Sequence, residues 1–332
     1  HPAATLSVPC MDPAKEQAHE LARRLAAGER GAQARLISWA ENKDARFAPA
    51  LAELYPRVGR AWRIGVTGPP GAGKSSLVSA LIEKLRESGQ TVGVLAIDPS
   101  SPYTGGALLG DRIRMEERTT DPGVYIRSMA TRAGSGGLAR AAVDAADAMD
   151  AFGFDTLLIE TVGVGQTEYE IVSAADLVLV VLCPGAGDGI QAMKAGLLEV
   201  ADVLVANKSD QPGNEQLVLD LEDALKLRAL SRRGQAKDVP VVPVSAHAGT
   251  GLDALVAVIA AARSGRSPQE LALGRRDKRA RQVRRIVRER LEELLWSTQG
   301  EAEVRELLDT RHTPYGVAEV VLARFGLAGP AA

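Results

Sequence analysis

Between residues 61 and 264, short apolar runs alternate with longer stretches whose apolar positions recur at helical spacing. Seven runs read as strands: WRIGVTG (62–68), TVGVLAID (91–98), VYIRSM (124–129), DTLLIET (155–161), LVLVVLC (177–183), DVLVANK (202–208) and VPVVPVS (239–245). Ala-rich or amphipathic segments lie between most of them. This alternation predicts an α/β fold, with a mostly parallel sheet covered by helices on both faces. Ligands of such sheets sit at the carboxyl ends of the strands.

The flanks have a different texture. In AKEQAHELARRLAA (14–27), Ala14, Ala18, Leu21, Ala22 and Leu25 share one helical face, and Gly28 follows as a C-cap. AQARLISWA and FAPALAELY continue at helical spacing, so residues 1–60 read as an N-terminal helical extension. After SGRSPQ (264–269), one long helix is expected over 275–299, with Val283, Ile286, Val287, Leu291, Leu294 and Leu295 on one stripe. A short helix over 301–309 and PYGVAEVVLARFG close the chain. The expected organisation is an extension (1–60), a central domain (61–264) and a C-terminal helical extension (265–332).

Composition narrows the class. The chain has 332 residues, 45% of them hydrophobic and 25% charged, which suits a globular protein with a full core. A formal net charge of -2 gives no field for sequence-independent nucleic-acid binding. The one basic stretch, RRDKRARQVRRIVRERLEELL (275–295), also carries an apolar stripe and Glu289, Glu292 and Glu293. It reads as a helix that packs on a twin or within its own chain, rather than on nucleic acid. Cys10 and Cys183 are too few for a disulfide framework. The longest apolar run, LVLVVLC, stops at Pro184-Gly185 and is too short to span a bilayer. The opening HPAATLSVPC has neither the basic start nor the long apolar centre of a signal peptide, so a cytoplasmic protein is expected.

The sharpest chemistry lies in GPPGAGKSS (68–76), between the first strand and the helical SSLVSALIEKLRES. Gly68, Pro70, Gly71, Ala72, Gly73, Lys74, Ser75 and Ser76 fall in the register of a phosphate-binding loop, Gly-x-x-x-x-Gly-Lys-Ser, in its required strand–loop–helix context. Glycines let backbone N–H groups converge on phosphate oxygens at a helix N-terminus. Lys74 would reach the β- and γ-phosphates, and the Ser75 hydroxyl would ligate Mg²⁺. A plain Gly/Pro turn would need neither the lysine nor this register.

NKSD (207–210), also at a strand's carboxyl end, points to the base. The Asp210 carboxylate can accept from guanine's ring N–H and exocyclic amine, whereas adenine would leave it unpaired. Asn207 would brace the loop and the Lys208 stem would pack on the base. From SAHAGTGL (245–252), Ser245, Ala246 and His247 fall on the base side, with the Ala246 N–H offered to the guanine carbonyl.

LLIETVGVGQTE (157–168) ends a strand with Glu160, placed to hold metal-bound water, and Gly163, whose N–H would sense the γ-phosphate. Val164 stands where many small GTPases carry glutamine, and Gln166 lies two residues on, so slow intrinsic hydrolysis is expected. Asp98 and Asp111, in AIDPSSPYTGGALLGDRIRM, read either as acids facing metal and water or as a strand-end turn residue and a helix N-cap. CPGAGDGIQAMKAG (183–196) reads as a second anion cradle or as a cap with an amphipathic helix.

Taken together, GPPGAGKSS, DPSSPYTGGALLGDRIRM, ETVGVGQTE, PGAGDGIQAMKAG and NKSD, in this order, resemble the MeaB-type GTPases, the family that also carries the ArgK name and the human methylmalonic aciduria type A protein. The likeness spans roughly residues 12 to 330. It implies a P-loop G domain and a GTP-hydrolysing chaperone that gates adenosylcobalamin loading into a B12-dependent acyl-CoA mutase, typically methylmalonyl-CoA mutase, and protects or rescues that mutase. It also implies GTP/GDP and Mg²⁺ as bound species and a homodimer joined through the C-terminal helices. Contact with the adenosyltransferase that delivers the cofactor belongs to the same picture. By motif, Lys74 and Ser75 serve phosphate and metal, Asp98, Asp111 and Glu160 the metal and water, and Asn207 and Asp210 the guanine. Asp188, Gln191 and Lys194 fall in a third, partner-responsive switch. A metal-inserting GTPase would need a Cys/His site, which His1, His19, His247, His312 and two distant cysteines do not supply. A kinase for an amino-acid transport system would normally prefer ATP, against the sense of NKSD.

Overall fold

The computed structural model describes residues 12–98, 121–130, 135–161, 175–185, 197–231, 238–296, 298–309 and 313–326. All seven expected strands form, as β1 (Trp62–Thr67), β2 (Val92–Asp98), β3 (Val124–Ala130), β4 (Thr156–Thr161), β5 (Leu177–Leu182), β6 (Val203–Asn207) and β7 (Val241–Val244). They make one sheet in the order β3-β2-β4-β1-β5-β6-β7, every neighbouring pair parallel. β1, β4, β5 and β6 are buried along their whole length, which is why they read as unbroken apolar runs.

Alternate residues of each strand feed cores on opposite faces. Ile64, Val66, Val94, Leu158, Leu179, Val181 and Val205 pack with α4 (Lys74–Glu87), joined by Leu252, Leu255 and Ile259 of the helix over Leu252–Ser264. On the other face, Leu95, Ile97, Leu157 and Ile159 meet α5 (Ser135–Phe152). Val178, Val180, Leu182 and Leu204 meet Leu221 of α7 (Asn214–Ser231); the short α6 (Leu197–Val200) precedes β6.

The N-terminal helices α1 (Pro13–Ala26), α2 (Arg30–Glu41) and α3 (Phe47–Leu54) share the α5 core rather than standing apart. Leu21, Leu25, Leu36, Ile37, Trp39 and Phe47 close over α5, whose Ala139, Ala142, Ala145, Ala146, Ala148 and Ala151 are all buried. A helix covered on two sides needs small residues around its circumference, which explains its alanine content. Ala14, expected on the packed face of α1, is exposed, because the first turn of that helix projects beyond its neighbours' cover. The C-cap of α1 is Ala27, and Gly28 follows with φ 85°.

Three aspartates of α5, Asp144, Asp147 and Asp150, are also buried. Asp150 accepts from the backbone N–H groups of Gly59, Arg60 and Ala61 at 2.9, 3.0 and 3.0 Å. Arg63 Nη2 donates to Asp147 at 2.8 Å and to Asp150 at 2.6 Å. Burial opposes the Arg63 charge, yet Asp147 and Asp150 more than offset it and hold the guanidinium protonated. The entry of the chain into β1 is thereby fixed.

The long C-terminal helix, expected over 275–299, begins and ends earlier than its pattern suggested. α9 runs Pro268–Leu295, after α8 (Leu252–Ser264), because SPQE is a capping box: Ser267 N–H donates to Glu270 Oε2 at 2.8 Å, and Glu270 N–H donates to Ser267 Oγ at 3.2 Å. α10 (Thr298–Asp309) and α11 (Pro314–Arg324) follow. The chain divides into two compact units, residues 1–275 and 276–332. Within the first, Arg275 donates to both carboxylate oxygens of Asp176, at 3.1 and 2.6 Å, and to the carbonyls of Gly59 and Ala61. Within the second, Val283, Val287, Leu291 and Leu294 are exposed.

Candidate functional site

The loop between β1 and α4 lies where the sheet changes direction, since β4 and β5 flank β1 on either side. Its glycines are there for specific reasons. A Cβ on Gly68 (φ 146°) would stand 2.1 Å from the Val181 carbonyl oxygen of β5, and one on Gly73 (φ 87°) would stand 2.4 Å from Asn207 Nδ2. Gly73 is the N-cap of α4, whose axis begins at Lys74. Ala72 is fully buried, while Pro70, Gly71 and Ser76 lie at the surface.

Lys74 is buried, and its ammonium donates to the carbonyls of Gly68 at 2.8 Å and Pro69 at 2.9 Å. The side chain therefore folds back over the mouth of the loop, pinned to its rim. Ser75 Oγ donates to Glu160 Oε1 at 2.6 Å, bringing together a hydroxyl at the start of α4 and a carboxylate near the end of β4. The register pairs Glu160 with Val66 of β1 and Ala96 of β2, so the sheet itself holds this acid beside the loop. Behind it, the Thr161 hydroxyl donates to Thr67 Oγ1 at 3.1 Å, both residues fully buried. Cys183, just past β5, packs its Sγ 3.8 Å from the Gly71 carbonyl. Motif reading did not single out these threonines or this cysteine.

The NKSD segment reaches the same place from β6. Asn207, buried, donates from Nδ2 to the carbonyls of Ala72 at 2.8 Å and Gly73 at 3.4 Å, tying the two loops together. Its Oδ1 accepts the Ala246 N–H at 3.1 Å. That amide is the one expected to be offered to a base carbonyl, and the turn after Ser245 brings it beside the asparagine. Lys208 takes a left-handed backbone (φ 60°), which turns the chain sharply after β6. Asp210 is exposed, and its Oδ1 accepts from Ser245 Oγ at 2.5 Å. The Ser245 hydroxyl, then the backbone N–H of Asp210 itself, hold the Asp210 carboxyl below the usual carboxylate range, with smaller help from His247 and Lys208. His247 is exposed beside it.

The structure thus gathers the 68–76 loop, Glu160, Asn207, Lys208, Asp210, Ser245, Ala246 and His247 along one edge of the sheet. Asp98 closes β2 at that edge, its backbone paired with Ala130. Asp111, Gly163, Asp188, Gln191 and Lys194 lie outside the described residues. Among the described residues no group of three or more His, Cys, Asp or Glu could hold a metal ion, and no helix is long and apolar enough to cross a membrane.

A parallel sheet with this loop, lysine and strand-end acid at its switch point is a P-loop nucleoside triphosphatase fold. A family model described as "Methylmalonyl Co-A mutase-associated GTPase MeaB" matches residues 33–300, and the chain belongs to this family of GTPases. It is 50% identical over 236 residues to a protein of Pyrococcus abyssi named as a GTPase, covering 71% of this chain and 73% of that one. The mouse methylmalonic aciduria type A homolog, mitochondrial, is 40% identical over 194 residues, 58% of this chain and 46% of that one. In overall fold the chain is similar to a solved LAO/AO transport system kinase, with TM-score 0.70 at 24% sequence identity, over 96% of this chain and 99% of that one.

Proposed function

We propose that this protein binds and hydrolyses GTP, and that the nucleotide state governs its action as a chaperone on a B12-dependent acyl-CoA mutase, methylmalonyl-CoA mutase being the first candidate. The observation that carries the nucleotide part is the tie between the two loops: Asn207 holds the Ala72 and Gly73 carbonyls while Asp210 stands three residues on. In this reading, that tie would hold the phosphate cradle and the base reader in fixed register with each other. Lys74 and the amides of residues 71–76 would hold the phosphates, and Asp210 would accept from guanine's N–H groups. Adenine offers no matching pair of donors, which speaks against an ATP-dependent kinase.

The donor set of the Ser75 hydroxyl and the Glu160 carboxylate is all oxygen, which fits Mg²⁺ with its preference for few protein ligands and several waters. Asp98 and Asp111 complete the proposed set. Mg²⁺ bound there would neutralise charge on the β- and γ-phosphates. No glutamine follows Gly163 directly, which supports a slow intrinsic rate that a partner raises. The mutase role rests on the family's description and on the sequence motifs around Asp188, Gln191 and Lys194. The exposed stripe Val283, Val287, Leu291 and Leu294 supports a homodimer through the C-terminal helices, within the three-part organisation read from the sequence.

The test is GTP hydrolysis by the purified chain, alone and with methylmalonyl-CoA mutase. A rise in turnover with the mutase supports the reading; no response to any acyl-CoA mutase removes the chaperone part. Lys74→Ala should weaken GDP and GTP binding about 10- to 100-fold by calorimetry, the worth of charge-assisted hydrogen bonds. Tighter ATP than GTP binding by the unaltered chain would restore the kinase alternative.

A further inference from the structure

After β6 the chain reverses through residues 208–213 and enters α7 at Asn214. Asn214 is buried, with 5% of its surface exposed, and its Nδ2 donates to two consecutive carbonyls at the end of β6, Ala206 at 3.2 Å and Asn207 at 3.1 Å. Asn214 is the first residue of α7; the position before it, where a side chain would cap the helix, is Gly213, whose carbonyl accepts the Leu217 N–H at 3.0 Å. The Asn214 carboxamide turns its nitrogen onto the strand.

The consequence falls on Asp210. The left-handed Lys208 is a conformation disfavoured for a residue with a Cβ, and it persists only where the surroundings hold it. The Gln211 N–H donates to the Lys208 carbonyl at 2.9 Å and closes the tight turn. Asn214 closes the wider loop by fixing its two ends to each other. Asp210 lies exposed between those ends, and its other anchor is Ser245.

We infer that Asn214 is a positioning residue for base selectivity: its carboxamide clamps the 208–213 loop so that the Asp210 carboxylate faces the purine edge. This rests on the guanine-binding reading above and adds a residue that touches no nucleotide.

The experiment compares GDP, IDP and ADP affinities of the full chain with those of Asn214→Ala, Asn214→Asp and Asn214→Ser, by competition against a fluorescent guanine nucleotide. Inosine lacks the exocyclic amine that the second Asp210 oxygen would take, so the GDP-to-IDP ratio reports how well that carboxylate is aimed. Asn214→Ala should lose about tenfold in GDP affinity and less in IDP affinity, moving the ratio toward one. Asn214→Asp, nearly the same shape but without the N–H donors, should lose at least as much. Asn214→Ser, which keeps one donor, should fall between, and carries the comparison should Asn214→Ala fail to fold. Equal losses for GDP and IDP, or an unchanged ratio, overturn the inference. A lack of GDP-over-ADP preference in the unaltered chain would instead strike the guanine reading itself.

Discussion

At the scale of single residues, the site is a set of close approaches. Gly73 is fixed twice, by a left-handed backbone and by Asn207 Nδ2 where a Cβ would stand. Gly73→Ala should cost about 1–2 kcal/mol of stability from the backbone alone, and more in nucleotide affinity as Asn207 is displaced. Denaturant titration and calorimetry separate the two losses. Asp210 makes a pH prediction with a definite sign. Its carboxyl is held below the ordinary range by Ser245, so the ionised acceptor is present at neutral pH and is lost only as the pH falls through that lowered value. Ser245→Ala returns the carboxyl upward, so GDP binding should fail at a higher pH in the variant than in the unaltered protein. A pH series of GDP affinities checks this; coincident acid limbs would show that Ser245 does not tune Asp210. Because Asp210 is exposed, the effect belongs to binding, with little consequence for stability.

Among elements, the pivotal one is α5, buried between the sheet and the N-terminal helices. Its carboxylates hold the chain's entry into β1 through Arg63 and three backbone amides. Arg63→Leu takes the cation from two buried carboxylates and should destabilise the protein by about 3–5 kcal/mol in urea unfolding. Replacing charge and partners together would cost far less, since a buried pair is weak support for stability while a broken pair is a strong liability. The periodicity of the helices and the strands' apolar runs were legible in the chain. The aspartates of α5 were not, because a buried and a solvated carboxylate look alike until the residue opposite is known.

Viewed as a whole molecule, the chain carries the described residues of the candidate site in the unit of residues 1–275 and an exposed apolar stripe in the unit of residues 276–332. A chain ending after Arg275 should retain GDP binding, since the described site residues and the Arg275–Asp176 clamp all lie within it. If the stripe joins two copies, Val287→Glu should convert a dimer to a monomer in sedimentation while leaving GDP affinity within about twofold, because a charge buried in an apolar contact is costly and one in solvent is not. A monomer at high concentration in the unaltered protein would refute the dimer.

The sequence by itself determined the parallel α/β sheet, the Gly-x-x-x-x-Gly-Lys-Ser loop ahead of α4 and the family, because each rests on local spacing: apolar runs of strand length, glycines in fixed register, an acid at a strand's end. Only the tertiary structure decided that the N-terminal helices share the core of α5, that Asn207 spans the two loops, that the Ala246 amide meets Asn207, and that Asn214 grips the end of β6. Those contacts join residues up to 135 positions apart, as in the bond from Asn207 to Ala72. Local pattern carries no information about which distant carbonyl a side chain will meet, and the sheet's strand order is what brings them within reach.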